Sequence, residues 1–276
     1  EPGSGLPLVR NSKISILGAG NIGLAISKGL IKSGQYEPSD IMLTRRNIDY
    51  LNKESNIGFN ITNDNQKAVK FSDFLIVCVG PQQLKKLIKD IDKSLSENHL
   101  IISVVSGVSL EDMKKQFSSN INIVRAMPNT ASALCQSITC LASENKNDKN
   151  LKEAQKIFTH LGKTLVIPEE KMIAATALGA CGIAFFLRAI RASSQGGIEI
   201  GFHSDEAFLI ASQTAKGAAS LVLDSSSHPE SEIDNVTTPK GATISGLNEM
   251  EHQGFSSAMI KGITTSTNKI NDLLKK

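Results

Sequence analysis

Hydrophobic positions along the chain fall into two textures. From Lys13 to Ile167 short apolar runs alternate with amphipathic stretches. The runs Ile14 to Leu17, Ile41 to Leu43, Phe59 to Ile61, Phe74 to Val79, Leu100 to Val105, Ile121 to Ala126, Ser137 to Ala142 and Thr164 to Ile167 predict strands. Helices are predicted over Leu24 to Ser33, Asp49 to Ser55, a short stretch ending at Val69, Gln82 to Leu95, a segment begun by Ser109, and Asn150 to Leu161. Their ends carry signals: Gly34 as a closing glycine, Asn63 or Asp64 as a cap, and Glu111-Asp112 in a first turn, where the helix dipole favours acids. Leu84, Leu87, Ile88 and Ile91 share one helical face. This alternation predicts an α/β fold whose N-terminal domain, residues 1–167, is a Rossmann-type, doubly wound, mostly parallel sheet.

At Pro168 the strand runs stop. Helical patterns over Glu169 to Gly196, Ser204 to Leu223, Ala242 to Gln253 and Ser256 to Leu274 predict an all-helical C-terminal domain, residues 168–276, for substrate binding and dimerisation. Its first helix is apolar nearly all round, with Ala174, Leu178, Ile183, Phe185, Phe186 and Ile190, and must be covered on every side. So small a helical domain does not supply that cover alone, which predicts a homodimer through these helices. The uncharged stretch Met172 to Leu187 is shorter than the roughly 20 residues a membrane helix needs, and reads as a buried helix with no membrane partner. Residues 1–11, EPGSGLPLVRN, lack both Met and a signal-peptide core and read as a disordered or cloning-derived leader.

Composition narrows the classes. The chain has 276 residues, 40% hydrophobic and 21% charged, enough for a real core. A net charge of +3 with scattered lysines is too mild for a nucleic-acid partner, and no Trp and only 2 Tyr leave no obvious stacking platform for bases. Four cysteines without a CxxC pair and five histidines without HExxH predict reduced thiols, a cytoplasmic setting and no metal site.

The candidate chemistry starts where the first strand ends, at Gly18-Ala19-Gly20-Asn21-Ile22-Gly23. In a strand–GxGxxG–helix unit the first glycine makes the turn, the second lets backbone approach a pyrophosphate, and the third lets the helix pack on the strand. The helix start then offers N–H groups to the phosphates. After the second strand, where an NAD enzyme usually has Asp or Glu, stand Thr44, Arg45 and Arg46. Guanidinium forks suit a 2′-phosphate, so NADPH is the expected cofactor, with NADH as the alternative. Two further strand ends carry small or polar residues on the side where such sheets bind ligands: Val79-Gly80-Pro81, and Met127-Pro128-Asn129-Thr130. A second candidate site lies at Asp234 to Met259. There Pro239 breaks the chain, Gly241 permits a turn, and the N–H groups of Gly241, Ala242 and Thr243 with the Thr238 and Thr243 hydroxyls form a cradle for a carboxylate.

These segments together resemble the pyrroline-5-carboxylate reductase family. The family's late signature runs close to DxVTSPGGTTxxGLxxLExxGFRxA. It is matched by Asp234, Val236, Thr237, Pro239, Gly241, Thr243, Gly246, Leu247, Glu251, Gly254, Phe255 and Ala258, with Thr238 where it has Ser and Ala242 where it has Thr. MPNT is present as Met127 to Thr130 after Arg125, and Asn65, Ala68, Val69 and Asp73 match an earlier pattern. The resemblance implies reduction of 1-pyrroline-5-carboxylate, a cyclic imine carboxylate, to L-proline, the last step of proline biosynthesis. It further implies that Thr243 hydrogen-bonds the ring nitrogen and that Thr238, Gly241, Ala242 and Thr243 grip the carboxylate. Asn65, Val79, Gly80, Pro81 and Met127 to Thr130 are implied as cofactor contacts, and an interlocked helical dimer, with larger rings such as a decamer, as the assembly. Gly80, Lys240 and Cys181 depart from the family pattern, which leaves two alternatives: a divergent imine or oxo-acid reductase on the same fold, or a non-catalytic NADP-binding paralogue.

Overall fold

The computed structural model describes residues 12–145 and 148–274, so the expected leader at 1–11 lies outside the described residues. The N-terminal elements run β1 (Ile14–Leu17), α1 (Asn21–Lys32), β2 (Ile41–Thr44), α2 (Asn52–Ile57), β3 (Asn60–Thr62), α3 (Asn65–Phe71), β4 (Phe74–Val77), α4 (Pro81–Ile91) and β5 (Leu100–Ser103). They continue with α5 (Leu110–Lys114), β6 (Asn122–Met127), β7 (Ser137–Ala142), α6 (Lys149–Thr159) and β8 (Gly162–Val166). The strands form one 8-stranded sheet in the order β3-β2-β1-β4-β5-β6-β7-β8. Strands β1, β2 and β5 are buried at every position, as parallel strands covered on both faces must be. On one face the sheet packs on Ile26 and Leu30 of α1 and Leu151 and Phe158 of α6; on the other it packs on Val69, Leu84, Ile88 and Leu110.

All pairings are parallel except β6 with β7. A parallel return needs a crossover of about a dozen residues or more, usually with a helix. The link from Pro128 to Gln136 is too short and holds only a 3-10 turn, Thr130–Leu134, so the chain reverses. Strands β4 and β5 end earlier than their apolar runs because Cys78, Val79, Val104 and Val105 leave the sheet at its carboxyl edge. The helix expected over Asp49 to Ser55 is instead a 3-10 turn, Ile48–Leu51, capped by the Asn47 side chain, followed by α2. Of the two candidate caps for α3, Asp64 serves, accepting the N–H groups of Gln66 and Lys67.

The C-terminal helices are α7 (Met172–Ala175), a π segment Thr176–Ala180, α8 (Gly182–Glu199), α9 (Ser204–Ser225), α10 (Pro229–Val236), α11 (Ala242–His252) and α12 (Phe255–Leu274). The long first helix is therefore interrupted, where Thr176 Oγ1 donates back to the Met172 carbonyl at 2.8 Å. Helix α10 was not expected. Its signals are Pro229 at the first position and Glu230 and Glu232 in the first turn.

The chain forms two compact units, residues up to Ala180 together with those from Thr267, and Cys181–Ser266. In the second unit α8 and α9 pack closely, and an ideal Cβ on Gly197 would stand 3.0 Å from the Ala207 Cβ. The expectation of a buried helix over Met172 to Leu187 is corrected: within the single chain only 17% of the apolar window in Glu169–Glu199 is buried. That stretch is, by length and composition, long and apolar enough to cross a membrane. Phe186, Leu187, Ile200, Phe208, Leu209, Leu223 and Ile260 are also exposed, and an apolar surface of this kind marks an interaction site.

Candidate functional site

Strand β1 is where strand order reverses, with β2 on one side and β4 on the other, and ligands of open α/β sheets bind at such a point. The carboxyl ends of these strands open into a cleft of about 1200 Å³. Each glycine of the motif has its own reason to be there. Gly18 has φ +91° and lies so close to Val79 that a Cβ would meet its Cγ1 at 2.5 Å. Gly20 caps α1, and apart from its own chain neighbours no atom of the described residues stands within 4 Å of where its Cβ would be, which leaves room for a ligand to approach the backbone. A Cβ on Gly23 would meet Ile16 Cγ2 at 2.9 Å, so helix and strand pack together only with glycine there.

The turn is pinned by β2. Ala19 N–H donates to the Thr44 carbonyl at 2.8 Å, and Gly18 N–H donates to Thr44 Oγ1 at 3.1 Å. Thr44 is buried, and its hydroxyl serves the glycine turn. Gly20 N–H is taken by the Gly18 carbonyl at 2.7 Å. The first-turn N–H groups of Asn21, Ile22 and Gly23 have no acceptor among the described residues and remain for a ligand.

Arg45 and Arg46 line the cleft. Arg45 is pre-positioned: its Nη1 donates to the Ala19 carbonyl at 3.4 Å, and its guanidinium lies 4.6 Å from the centre of the Tyr50 ring. Asn65 also lines the cleft and donates through Nδ2 to Asp90 Oδ2 at 2.9 Å. Val79 forms part of the wall, whereas Gly80 caps α4 and Pro81 opens it without lining the cleft. Met127 to Thr130 do not line it either. Met127 packs with Ala142 and Met172, and Asn129 donates to the Gly179 carbonyl at 3.1 Å and accepts from Ala131 N–H, so both fasten the β6–β7 link. Thr130 is exposed on the turn that follows. Sequence reasoning missed Tyr50, Cys78 and the α4 residues Gln82, Gln83 and Lys86 on the wall. Only Tyr50 left a trace, an exposed aromatic five positions after Arg45. Burial pushes the Cys78 thiol up to about 12, so it stays protonated at neutral pH and is no nucleophile.

The second candidate lies at the start of α11. Gly241 caps that helix, and a Cβ on it would meet Thr238 Oγ1 at 2.5 Å and the Thr238 carbonyl at 2.9 Å. Its N–H is not free, as expected from sequence, but donates to the Thr238 carbonyl at 2.9 Å, closing the turn. The N–H groups of Ala242 and Thr243 have no acceptor among the described residues, and Thr238 and Thr243 are exposed. Lys240 adopts φ +60°, the left-handed region that glycine occupies most readily, so the turn is kept although the side chain is not glycine. Among the described residues no group of His, Cys, Asp and Glu is placed to hold a metal.

Residues 169–273 match the family described as "Pyrroline-5-carboxylate reductase dimerisation", and residues 13–107 match "NADP oxidoreductase coenzyme F420-dependent". Pyrroline-5-carboxylate reductase 1 of Dictyostelium discoideum is 52% identical over 94% of this chain, which spans only 49% of that protein's length. Pyrroline-5-carboxylate reductase 2 of the same organism is 45% identical over 95% of this chain and 93% of its own. A solved Plasmodium falciparum pyrroline carboxylate reductase with NADP bound superposes with a TM-score of 0.87 at 23% identity, covering 96% of this chain and 99% of that one. The apolar helical surface thus belongs to a dimerisation region, which implies a homodimer. With a relative matched almost end to end at 45% identity, the chain belongs to the pyrroline-5-carboxylate reductase family.

Proposed function

We propose that the chain reduces 1-pyrroline-5-carboxylate to L-proline with NADPH as hydride donor. The observation that carries this reading is the 45% identity to a curated reductase over 93% of that protein's length. The cleft suits the cofactor: Gly20 leaves room where a Cβ would stand, the unclaimed N–H groups of Asn21, Ile22 and Gly23 suit a diphosphate, and Arg45 and Arg46 suit a 2′-phosphate. Bound NADPH supplies the hydride that reduces the imine carbon.

The protein's part is binding and orientation. Ala242 and Thr243 offer two N–H groups to the substrate carboxylate, with Thr238 Oγ1 beside them, and Thr243 Oγ1 holds the ring nitrogen. A threonine hydroxyl is a weak acid, so the imine proton comes from solvent before the ring binds. Asn65 and Val79 contact the cofactor, while Gly80, Pro81 and Met127 to Thr130 shape the loops around it. Residues 1–167 serve the cofactor and residues 168–276 the substrate and the subunit interface. The apolar helices face a second copy rather than lipid, because Arg188 and Arg191 on α8 would each cost about 2.5–3.5 kcal/mol at a bilayer centre. Further assembly into a ring such as a decamer, and a cytoplasmic setting, complete the reading; the free state of all four cysteines supports the latter.

The test is oxidation of NADPH by the purified protein given pyrroline-5-carboxylate. Binding of NADPH with no oxidation would assign a non-catalytic paralogue instead. Thr243→Ala is expected to lower kcat about tenfold or more while NADPH affinity is retained, and an unchanged kcat removes Thr243 from the mechanism. Gly241→Ala should raise the substrate KM roughly tenfold, because the new Cβ must displace Thr238 from 2.5 Å. A KM within twofold would show that the turn does not shape the carboxylate site.

A further inference from the structure

We propose that Lys86 and Lys89 of α4, which line the same cleft as Arg45 and Arg46, form a second cationic wall for the cofactor's 2′-phosphate and contribute to the choice of NADPH over NADH. The inference rests on the reading of this cleft as the NADPH site. Helix α4 is two-faced: Leu84, Ile88 and Ile91 are buried against the sheet, Gln82, Gln83, Lys86, Lys89 and Asp90 line the cleft, and the buried Leu87 lies at the boundary and lines it too. The helix is tied to the β2 side of the sheet, where the ribose of a bound dinucleotide lies. Asn65 Nδ2 donates to Asp90 Oδ2 at 2.9 Å and Gln66 Nε2 to the Asp90 carbonyl at 3.1 Å. Both donors sit on α3, which follows β3, the neighbour of β2.

The charge balance in the cleft is one-sided. Arg45, Arg46, Lys86 and Lys89 face a single carboxylate, Asp90, whose oxygen already accepts from Asn65. Neither lysine forms an ion pair among the described residues. Lysine is a point charge on a long stem, and two of them one helical turn apart can follow a phosphate that the guanidinium forks orient. Lys85, on the same helix, does not line the cleft and provides an internal control.

The experiment measures the dissociation constants of 2′,5′-ADP and 5′-ADP by titration calorimetry on the full chain, with wild type, Lys86→Met/Lys89→Met, Lys85→Met and Arg45→Ala/Arg46→Ala. Methionine keeps the stem and the helix propensity without the charge. The double lysine variant is expected to weaken 2′,5′-ADP about tenfold more than 5′-ADP, with the difference shrinking at high salt. Lys85→Met should leave the ratio unchanged. Equal weakening of both nucleotides, or the same loss in Lys85→Met, would reduce the effect to general attraction and overturn the proposal. An unchanged ratio in the lysine variant, alongside a lost preference in the arginine variant, would overturn the lysine wall while leaving the cleft assignment in place. If wild type itself fails to favour 2′,5′-ADP, the cleft assignment falls and the lysine wall with it.

Discussion

Glu169→Ala is expected to lower the unfolding free energy by about 3 kcal/mol, near the lower end of what breaking a buried ion pair costs. Arg125 lies on β6 and is 4% exposed, and its Nη1 donates to Glu169 Oε1 at 3.0 Å. Its Nε and Nη2 have no partner, so Glu169 is the guanidinium's one side-chain acceptor among the described residues. The same carboxylate oxygen accepts the Leu110 N–H at 2.6 Å, at the start of α5. Removing it strands a buried cation and a helix-terminal N–H together. Glu169 is itself 29% exposed, so water reaches the pair from one side and the upper end of the range, about 5 kcal/mol, does not apply. Glu169→Gln keeps an acceptor for both donors and should cost about half as much. Arg125→Met with Glu169→Leu should return much of the loss, because no charge is then left buried. Urea denaturation of the four proteins checks this. A Glu169→Ala loss under 1 kcal/mol would mean that the guanidinium finds another partner.

The sheet was legible because a parallel sheet covered on both faces needs strands that are mostly apolar, and β1, β2, β4 and β5 read so, while in β6 the apolar pattern survives one buried charge, Arg125. What such runs do not encode is where a strand stops being a strand. Val79 reads like Val77, yet one lines the cleft and the other lies in the core. The reversal at β7 depends on the length of a link rather than on residue pattern. The long apolar helix signalled a need for cover, and its residues fall in the region that matches a dimerisation family. The glycine motif was legible residue by residue because each glycine answers a local steric demand. Other positions owe their roles to tertiary partners that are remote in sequence. Thr44 serves the glycine turn, and the Gly241 N–H is spent on Thr238. The polar face of α4 becomes a cleft wall through tertiary packing, with Asp90 joining the helix to α3.

Replacing Arg45 and Arg46 together by alanine is expected to raise the KM for NADPH about a hundredfold more than the KM for NADH. Hydrogen bonds to charged groups are worth about 1.5–3 kcal/mol each, and two of them at a partly solvated site give a loss near the lower end of that sum. The two arginines should not contribute equally. Arg46 is exposed, whereas Arg45 is held by the Tyr50 ring at 4.6 Å and by the Ala19 carbonyl at 3.4 Å, so it loses less side-chain freedom on binding. Arg45→Ala alone should therefore account for most of the loss. Arg45→Lys should restore little, since an ammonium supplies charge without the planar fork that stacks on Tyr50 and spans two phosphate oxygens. A competing explanation is that Arg45 acts by bracing the glycine turn through Ala19. That bracing serves the diphosphate, which NADPH and NADH share, so its loss would raise both KM values by the same factor. The ratio between the cofactors separates the two roles: a ratio that moves places the guanidinium on the 2′-phosphate, and one that stays fixed confines Arg45 to the turn.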